Sequence, residues 1–200
     1  MLEEILRLDT ELFLYLNNLG VSSFDSFWTF LSNKAANISV YIALLIYFLQ
    51  KKGFKSYKIR SLDIFYIFSI VLVMIFISDQ SANIFKDSFQ RMRPCFNEII
   101  QNSVRLVKDS CGGKYGFFSA HSSNSFSLAV FFGLLYRDFS KYPIYFTIIY
   151  ASLISYSRIY LGVHYPLDII FGALFGVING LLIYRVHKMV LKNFNLFNKS

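Results

Sequence analysis

Three short stretches of this 200-residue chain carry side chains able to hold and transfer a phosphate-like anion. "KDSFQRMRP" places Lys86 seven residues before Arg93, which Pro94 follows. "FFSAHSSNSF" places Ser119 two residues before His121. "SRIYLGVHYPLD" carries Ser157, Arg158, His164 and Asp168. Two guanidinium forks and one ammonium suit a phosphate, because the forks match its oxygens bidentately and the lysine adds a point charge. Ser119 can cap a following helix, whose free N–H groups and dipole also favour an anion. A carboxylate four residues from an imidazole, as Asp168 is from His164, fixes its tautomer and supports its cation. One histidine could then attack phosphorus while His121 protonates the departing oxygen. Each residue has a plainer reading: a headgroup anchor for the cations, a cap for Ser119, a dipole partner for Asp168.

The elements that must position these groups are greasy. The chain is 55% hydrophobic and 19% aromatic, and only 16% of it is charged, against about 25% in an ordinary soluble domain. Its net charge of +8 points to nucleic acid or an anionic membrane, and the hydropathy selects the membrane. Apolar segments run over residues 38–49 (reaching back as far as Phe24), 62–85, 117–136, 143–160 and 167–186. A helix of about 20 apolar residues crosses a bilayer. The fold expected is therefore all-α: a polytopic membrane bundle of five or six spans, forming a single domain over residues 1–200. Residues 1–23 read either as an amphipathic segment at the interface or as a first span. "MLEEILRLD" is acidic and does not read as a cleavable signal.

Alternating the spans puts Lys51, Lys52, Lys55, Lys58, Arg60, Arg137, Lys141, Arg185, Lys188, Lys192 and Lys199 on one side. The positive-inside rule makes that side cytoplasmic. The tail 187–200 belongs there, with His187 read as an interface residue. The three polar stretches then share the opposite surface, at the outer connection 86–118 and the adjoining span ends. That connection is itself basic, through Arg91, Arg105, Lys108 and Lys114 besides Lys86 and Arg93. Asp79, Asn83 and Lys86 share one helix face, and Asp79 is a candidate partner for Lys34. Gly172 and Gly176 suit packing inside the bundle.

In these residues the chain resembles the type 2 phosphatidic acid phosphatase family, which includes lipid phosphatases and vanadium haloperoxidases. Lys86 with Arg93-Pro94 matches the first family motif, and Ser157-Arg158 with His164 and Asp168 matches the third. The second is altered: Phe118-Ser119-Ala120-His121 keeps the serine and histidine but lacks the family's proline and glycine. The resemblance implies that His164 is a nucleophile forming a phosphohistidine, oriented by Asp168, with His121 as acid and then base. It implies that Lys86, Arg93, Ser119, the Ala120 N–H and Arg158 hold the phosphoryl oxygens. No metal and no cofactor are implied, since the cations already neutralise the transferring group.

The function expected on these grounds is hydrolysis of a membrane lipid phosphate, in a bacterial inner membrane with the site facing the periplasm. The first choice is an undecaprenyl-diphosphatase-like activity. Phosphatidylglycerol phosphate, phosphatidic acid and lipid A phosphates stay open. Rival classes are a haloperoxidase and a non-enzymatic lipid-phosphate-binding protein. The remaining outer cations would meet a second phosphate, a headgroup or solvent. Cys95 and Cys111 both lie in the outer connection, where an oxidising compartment permits a disulfide. No motif speaks to oligomeric state.

Overall fold

The computed structural model describes residues 1–51, 61–137 and 140–194. Most of the first basic loop (Lys52, Lys55, Lys58, Arg60) and Lys199 lie outside the described residues. Among the described residues the ordered elements are helical and no strand is present. They are α1 (Leu2–Asn18), α2 (Asp25–Leu31), α3 (Lys34–Lys51), α4 (Ser61–Phe89), α5 (Ala120–Tyr136), α6 (Tyr142–Tyr160) and α7 (Pro166–Phe194), joined in part by short 3-10 turns.

The centre of the bundle is α5. Serine, alanine and large apolar residues are buried on every side of it, from Ser122 through Phe131 and Phe132 to Tyr136. A helix apolar all round belongs in a core. It packs chiefly on α7 and α6. The α5–α7 contact is a small-residue seam. Cβ atoms added at Gly172, Gly176 and Gly180 would lie 2.6, 2.4 and 2.6 Å from the carbonyl oxygens of Ser119, Ser123 and Ser127. The two sets of residue numbers rise together, so the helices run parallel. Gly172 and Gly176 thus serve packing within the bundle. Mid-bundle, Asn179 Nδ2 donates to the Met74 carbonyl (3.0 Å) and Ser127 Oγ to the Gly176 carbonyl (3.0 Å).

Among the described residues, two helices can cross a membrane by length and composition: Phe65–Phe89 and Pro166–Lys192. The pair Ser22–Leu31 and Lys34–Tyr47, bent by 56°, qualifies as one broken span. That criterion does not by itself confirm the five or six spans expected from sequence. The remaining expected segments, α5 and α6, are shorter and carry more Ser, Tyr and Asn. Apolar side chains nevertheless face outward on α4 (Phe68, Leu72, Phe76), α6 (Tyr145, Phe146, Ile149) and α7 (Phe171, Leu174, Ile178).

Helix α1 buries Asp9, Phe13 and Asn17 on one stripe and exposes Leu2, Ile5, Leu6, Leu12 and Tyr15. It is moored on the ends of α6 and α7. Asn17 Nδ2 donates to the carbonyls of Ile159 and Tyr160 (3.0 Å each), which end α6. Such terminal carbonyls have no partner inside their own helix.

At the other end of the bundle the structure corrects one expectation. His187 is buried, not at the interface: it stacks on Tyr66, meets Phe131 edge-on and shares a 3.2 Å hydrogen bond with the Tyr66 hydroxyl. Residues 187–194, expected as a tail, continue α7.

Candidate active site

The end of α4, the start of α5, the end of α6 and the start of α7 meet at one cavity of about 390 Å3. Lys86, Arg93, Ala120, His121, Arg158 and His164 line it. Seven of the eight residues expected to act on the anion are thus accounted for, counting Asp168 directly behind His164.

Local sequence explains each placement. Gly162, with φ +79°, ends α6 in a left-handed turn that glycine adopts readily. Its N–H donates to the Ile159 carbonyl (3.0 Å), and the Val163 N–H to the Arg158 carbonyl (3.1 Å). The chain reverses there and presents His164. Pro166 then opens α7, a position suited to its fixed φ. One turn in, Asp168 Oδ2 lies 3.2 Å from His164 Nδ1 and accepts the Tyr165 N–H at 3.1 Å. With Nδ1 facing the carboxylate, Nε2 is the nitrogen left for the cavity. His164 and Asp168 are almost fully buried. Burial, followed by the charges of Arg93, Arg158, Lys86 and Arg91, holds the His164 pKa well below the ordinary 6.5. Its neutral, nucleophilic form is therefore favoured.

Hydrogen bonds fix two of the cations. Arg158 is 4% exposed; it donates through Nη1 to Ser32 Oγ, and its Nε is buried without a partner. An orphaned guanidinium N–H on a cavity wall suits an anionic oxygen. Arg93 Nη1 donates to the Cys111 carbonyl (2.7 Å), and Nε to the Tyr115 carbonyl (3.3 Å). The arms of the outer connection pair across Arg93 N to Lys114 O (3.0 Å) and Gly116 N to Arg91 O (2.9 Å). Cys95 and Cys111 form a disulfide with Cα atoms 6.2 Å apart, a separation within bridging range.

Ser119 takes the capping role its sequence position suggests, and not a place in the cavity lining. It is fully buried, does not line the cavity, and its Oγ accepts the Ser122 N–H as the N-cap of α5. Its own N–H donates to the Asp168 carbonyl at 3.0 Å, latching α5 to α7. Two outer cations are likewise committed elsewhere rather than open to a second phosphate. Arg105 Nη2 donates to both carboxylate oxygens of Asp25, at 2.7 and 2.8 Å. Arg91 bridges Asp168 Oδ1 (2.9 Å) and Asp9 Oδ2 (2.5 Å) and lies over the Tyr165 ring. The Asp79–Lys34 pairing is not formed either: Asp79 Oδ1 accepts from Asn124 Nδ2 at 2.8 Å, while Lys34 lines the same cavity.

Sequence reasoning missed three residues around His164. Asp9 ties α1 to the site: beyond its bond to Arg91, its Oδ1 accepts the Leu167 N–H at 2.8 Å. Arg91 was visible only as one basic residue among several. Gly116 is the third. A Cβ there would lie 3.0 Å from Asp168 Oδ2, 3.1 Å from Arg93 Cγ and 3.6 Å from His164 Nδ1. No local pattern marks Asp9 or Gly116, since each acts on residues far along the chain.

Fold and site together define a helical membrane protein with a cationic, two-histidine pocket at one end of its bundle. The chain belongs to the PAP2 superfamily, whose sequence profile matches residues 62–192. It is 36% identical to the lipid A 4'-phosphatase of Porphyromonas gingivalis over 188 residues, 93% of this chain and 75% of that protein. It is 32% identical to the lipid A 4'-phosphatase of Bacteroides thetaiotaomicron over 195 residues, 96% of this chain and 83% of that one. The crystal structure of Aquifex aeolicus LpxE is similar at a TM-score of 0.63 and 26% identity, covering 88% of this chain and 93% of that chain. The fold is also that of a PAP2-type phosphatidylglycerolphosphate phosphatase from Bacillus subtilis, at a TM-score of 0.69 and 15% identity, covering 94% and 88% of the two chains.

Proposed function

We propose that this protein is an integral-membrane phosphatase that removes a phosphate monoester from a lipid A-type glycolipid. The observation that carries the chemistry is the His164–Asp168 pair facing His121, Arg93, Arg158 and Lys86 across one cavity. The similarity to two lipid A 4'-phosphatases, over 93% and 96% of this chain and 75% and 83% of theirs, favours the glycolipid. It displaces undecaprenyl diphosphate as first choice, and it ranks above phosphatidic acid and phosphatidylglycerol phosphate.

In this reading His164 Nε2 attacks phosphorus in line with the sugar oxygen. The P–N bond forms, the P–O bond to the sugar breaks, and that oxygen takes its proton from His121, whose imidazolium form is stabilised in the complex by the negative charge of the bound phosphate. Neutral His121 then takes a proton from water. The resulting hydroxide attacks the phosphohistidine, the P–N bond breaks, and inorganic phosphate leaves. Arg93, Arg158, Lys86 and the Ala120 N–H hold the equatorial oxygens, where charge stays high throughout. Asp168 keeps His164 Nδ1 protonated and offsets the charge on the phosphorylated ring. The cations supply the neutralisation that a metal would otherwise bring.

We further place the cavity at the periplasmic face of a bacterial inner membrane. On this reading α5 and α6 also cross the bilayer, with α5 shielded by its neighbours and α6 facing lipid with Phe146 and Ile149. Helix α1 lies along the outer interface. The basic residues at the other end, Arg137, Lys141, Arg185, Lys188 and Lys192, support this orientation. The test is phosphate release from lipid A by detergent-purified protein with EDTA present. Wild type turns over, and His164→Ala loses at least about 1,000-fold in kcat. An active His164→Ala protein would refute the nucleophile, and full loss of activity in EDTA would refute the metal-free scheme.

A further inference from the structure

The cavity continues past the phosphate-binding cations along α4, into a part of the chain that the motifs do not reach. Asn83 and Asp79 lie one and two turns below Lys86 on the same face and line it, descending roughly 10 Å at the helical rise per residue. Asn124 of α5 and Lys34 of α3 line the same stretch. Below them the lining turns apolar, at Ile38, Tyr41, Ile75 and Leu128. A carboxylate and a carboxamide on α4, faced by a second carboxamide from α5, are costly within a membrane bundle unless a partner fills the space between.

The chemistry of the wall is specific. Asn124 Nδ2 is used on Asp79 Oδ1 at 2.8 Å, whereas Asn124 Oδ1 is buried with no hydrogen-bond partner. The Asp79 carboxylate can only accept while ionised. Asp79 and Asn124 both line the space directly below the phosphate end, with the unpartnered Asn124 oxygen just behind its surface. What satisfies them must bring O–H or N–H donors next to its phosphate. A second phosphate would meet the Asp79 carboxylate as a like charge. A diacylglycerol phosphate has no donors at that depth.

We propose that Asp79 and Asn124, with Asn83 and Lys34 beside them, form a headgroup subsite reading the hydroxyl and amide groups of a phosphorylated amino sugar, with the acyl chains continuing into the apolar part of the cavity. The volume of about 390 Å3 falls in the range of small-molecule sites. A site built to accept from ligand donors discriminates strongly against analogues that lack them, because its own groups are then left unpaired. The proposal rests on the phosphatase reading of the cavity and adds to it the basis for choosing a substrate.

The test compares kcat/KM for lipid A with kcat/KM for phosphatidic acid, both in the same mixed micelles, in wild type, Asp79→Ala and Asn124→Ala. The expected result is a wild-type preference for lipid A. The ratio falls at least tenfold in each variant, through KM rather than kcat. Asp79→Asn, which keeps an acceptor, retains more of the ratio than Asp79→Ala. A ratio unchanged in both alanine variants overturns the subsite, and so does a wild type that prefers phosphatidic acid. Failure of wild type on both lipids would instead overturn the phosphatase reading itself.

Discussion

His164 is a nucleophile only while its ring is neutral, and its surroundings keep it so. Burial and four nearby cations disfavour the imidazolium, so the folded-state pKa lies below 6.5. Folding therefore releases a proton when the pH is near or below that value. This contribution to stability is fully present above pH 6.5 and is lost as the pH falls towards the folded-state pKa. In histidine-labelled protein with its three rings, the resonance that disappears in His164→Asn should titrate below 6.5. A midpoint above 6.5 would contradict a buried ring among cations. Gly116 makes a second residue-scale prediction. The space its missing side chain leaves is bounded by Asp168 Oδ2 and Arg93 Cγ at 3.0 and 3.1 Å, so any side chain displaces the reacting groups. Gly116→Val should lower kcat by about 100-fold with a modest change in KM, since small misplacements of reacting groups carry that penalty.

At the scale of elements, α1 is coupled to the chemistry through Arg91, which holds Asp9 and Asp168 at once. Both carboxylates are at least 95% buried. Removing the shared guanidinium leaves two buried anions without their partner, a change that typically costs about 3–5 kcal/mol. Arg91→Gln should lower the melting temperature in detergent and reduce kcat more than it raises KM, because it frees Asp168 from one of its anchors without touching substrate. Arg91→Lys, which keeps the charge, should recover part of both; equal effects on kcat for Lys and Gln would argue against positioning. The α5–α7 seam offers an independent check. A Cβ at Gly176 would come 2.4 Å from the Ser123 carbonyl oxygen, a backbone atom that moves only with the helix. Gly176→Leu should therefore destabilise by about 1–3 kcal/mol or more, seen as a lower melting temperature, and should move His121 relative to His164.

At the scale of the whole molecule, the cavity is completed by a connection that carries no catalytic histidine. Residues 91–116 fold back over the bundle end, and Arg93 is positioned by the carbonyl of a bonded cysteine, Cys111. The disulfide closes a loop with a sequence separation of 16, worth about 3 kcal/mol in the chain-entropy account. Non-reduced protein should show no thiol reactive towards maleimide, and reduction should lower kcat severalfold while leaving the helix content by circular dichroism unchanged. Two reactive thiols in fully active protein would rule the disulfide out as a support for Arg93.

The sequence by itself determined the class, because both of its signals are local. Long apolar runs report helices in lipid, and Lys86/Arg93, Ser119/His121 and Arg158/His164/Asp168 keep spacings that a turn or one helical repeat dictates. It placed the segments now seen as α3 to α7 to within a few residues, apart from the end of α7. Only the tertiary structure decided which cations are free and which are spent. Arg158 lines the cavity with its Nε unpartnered, Arg91 is held by Asp9 and Asp168, Arg105 is tied to Asp25 through Nη2, and Ser119 serves as a cap away from the cavity lining. The same holds for His187, which looked like a surface residue and is a core one, and for Asp79, whose partner is Asn124 rather than Lys34. The reason is physical: a charged side chain chooses its partner by proximity and desolvation across the packed bundle, and residues 40 to 160 apart in the chain carry no local trace of that choice.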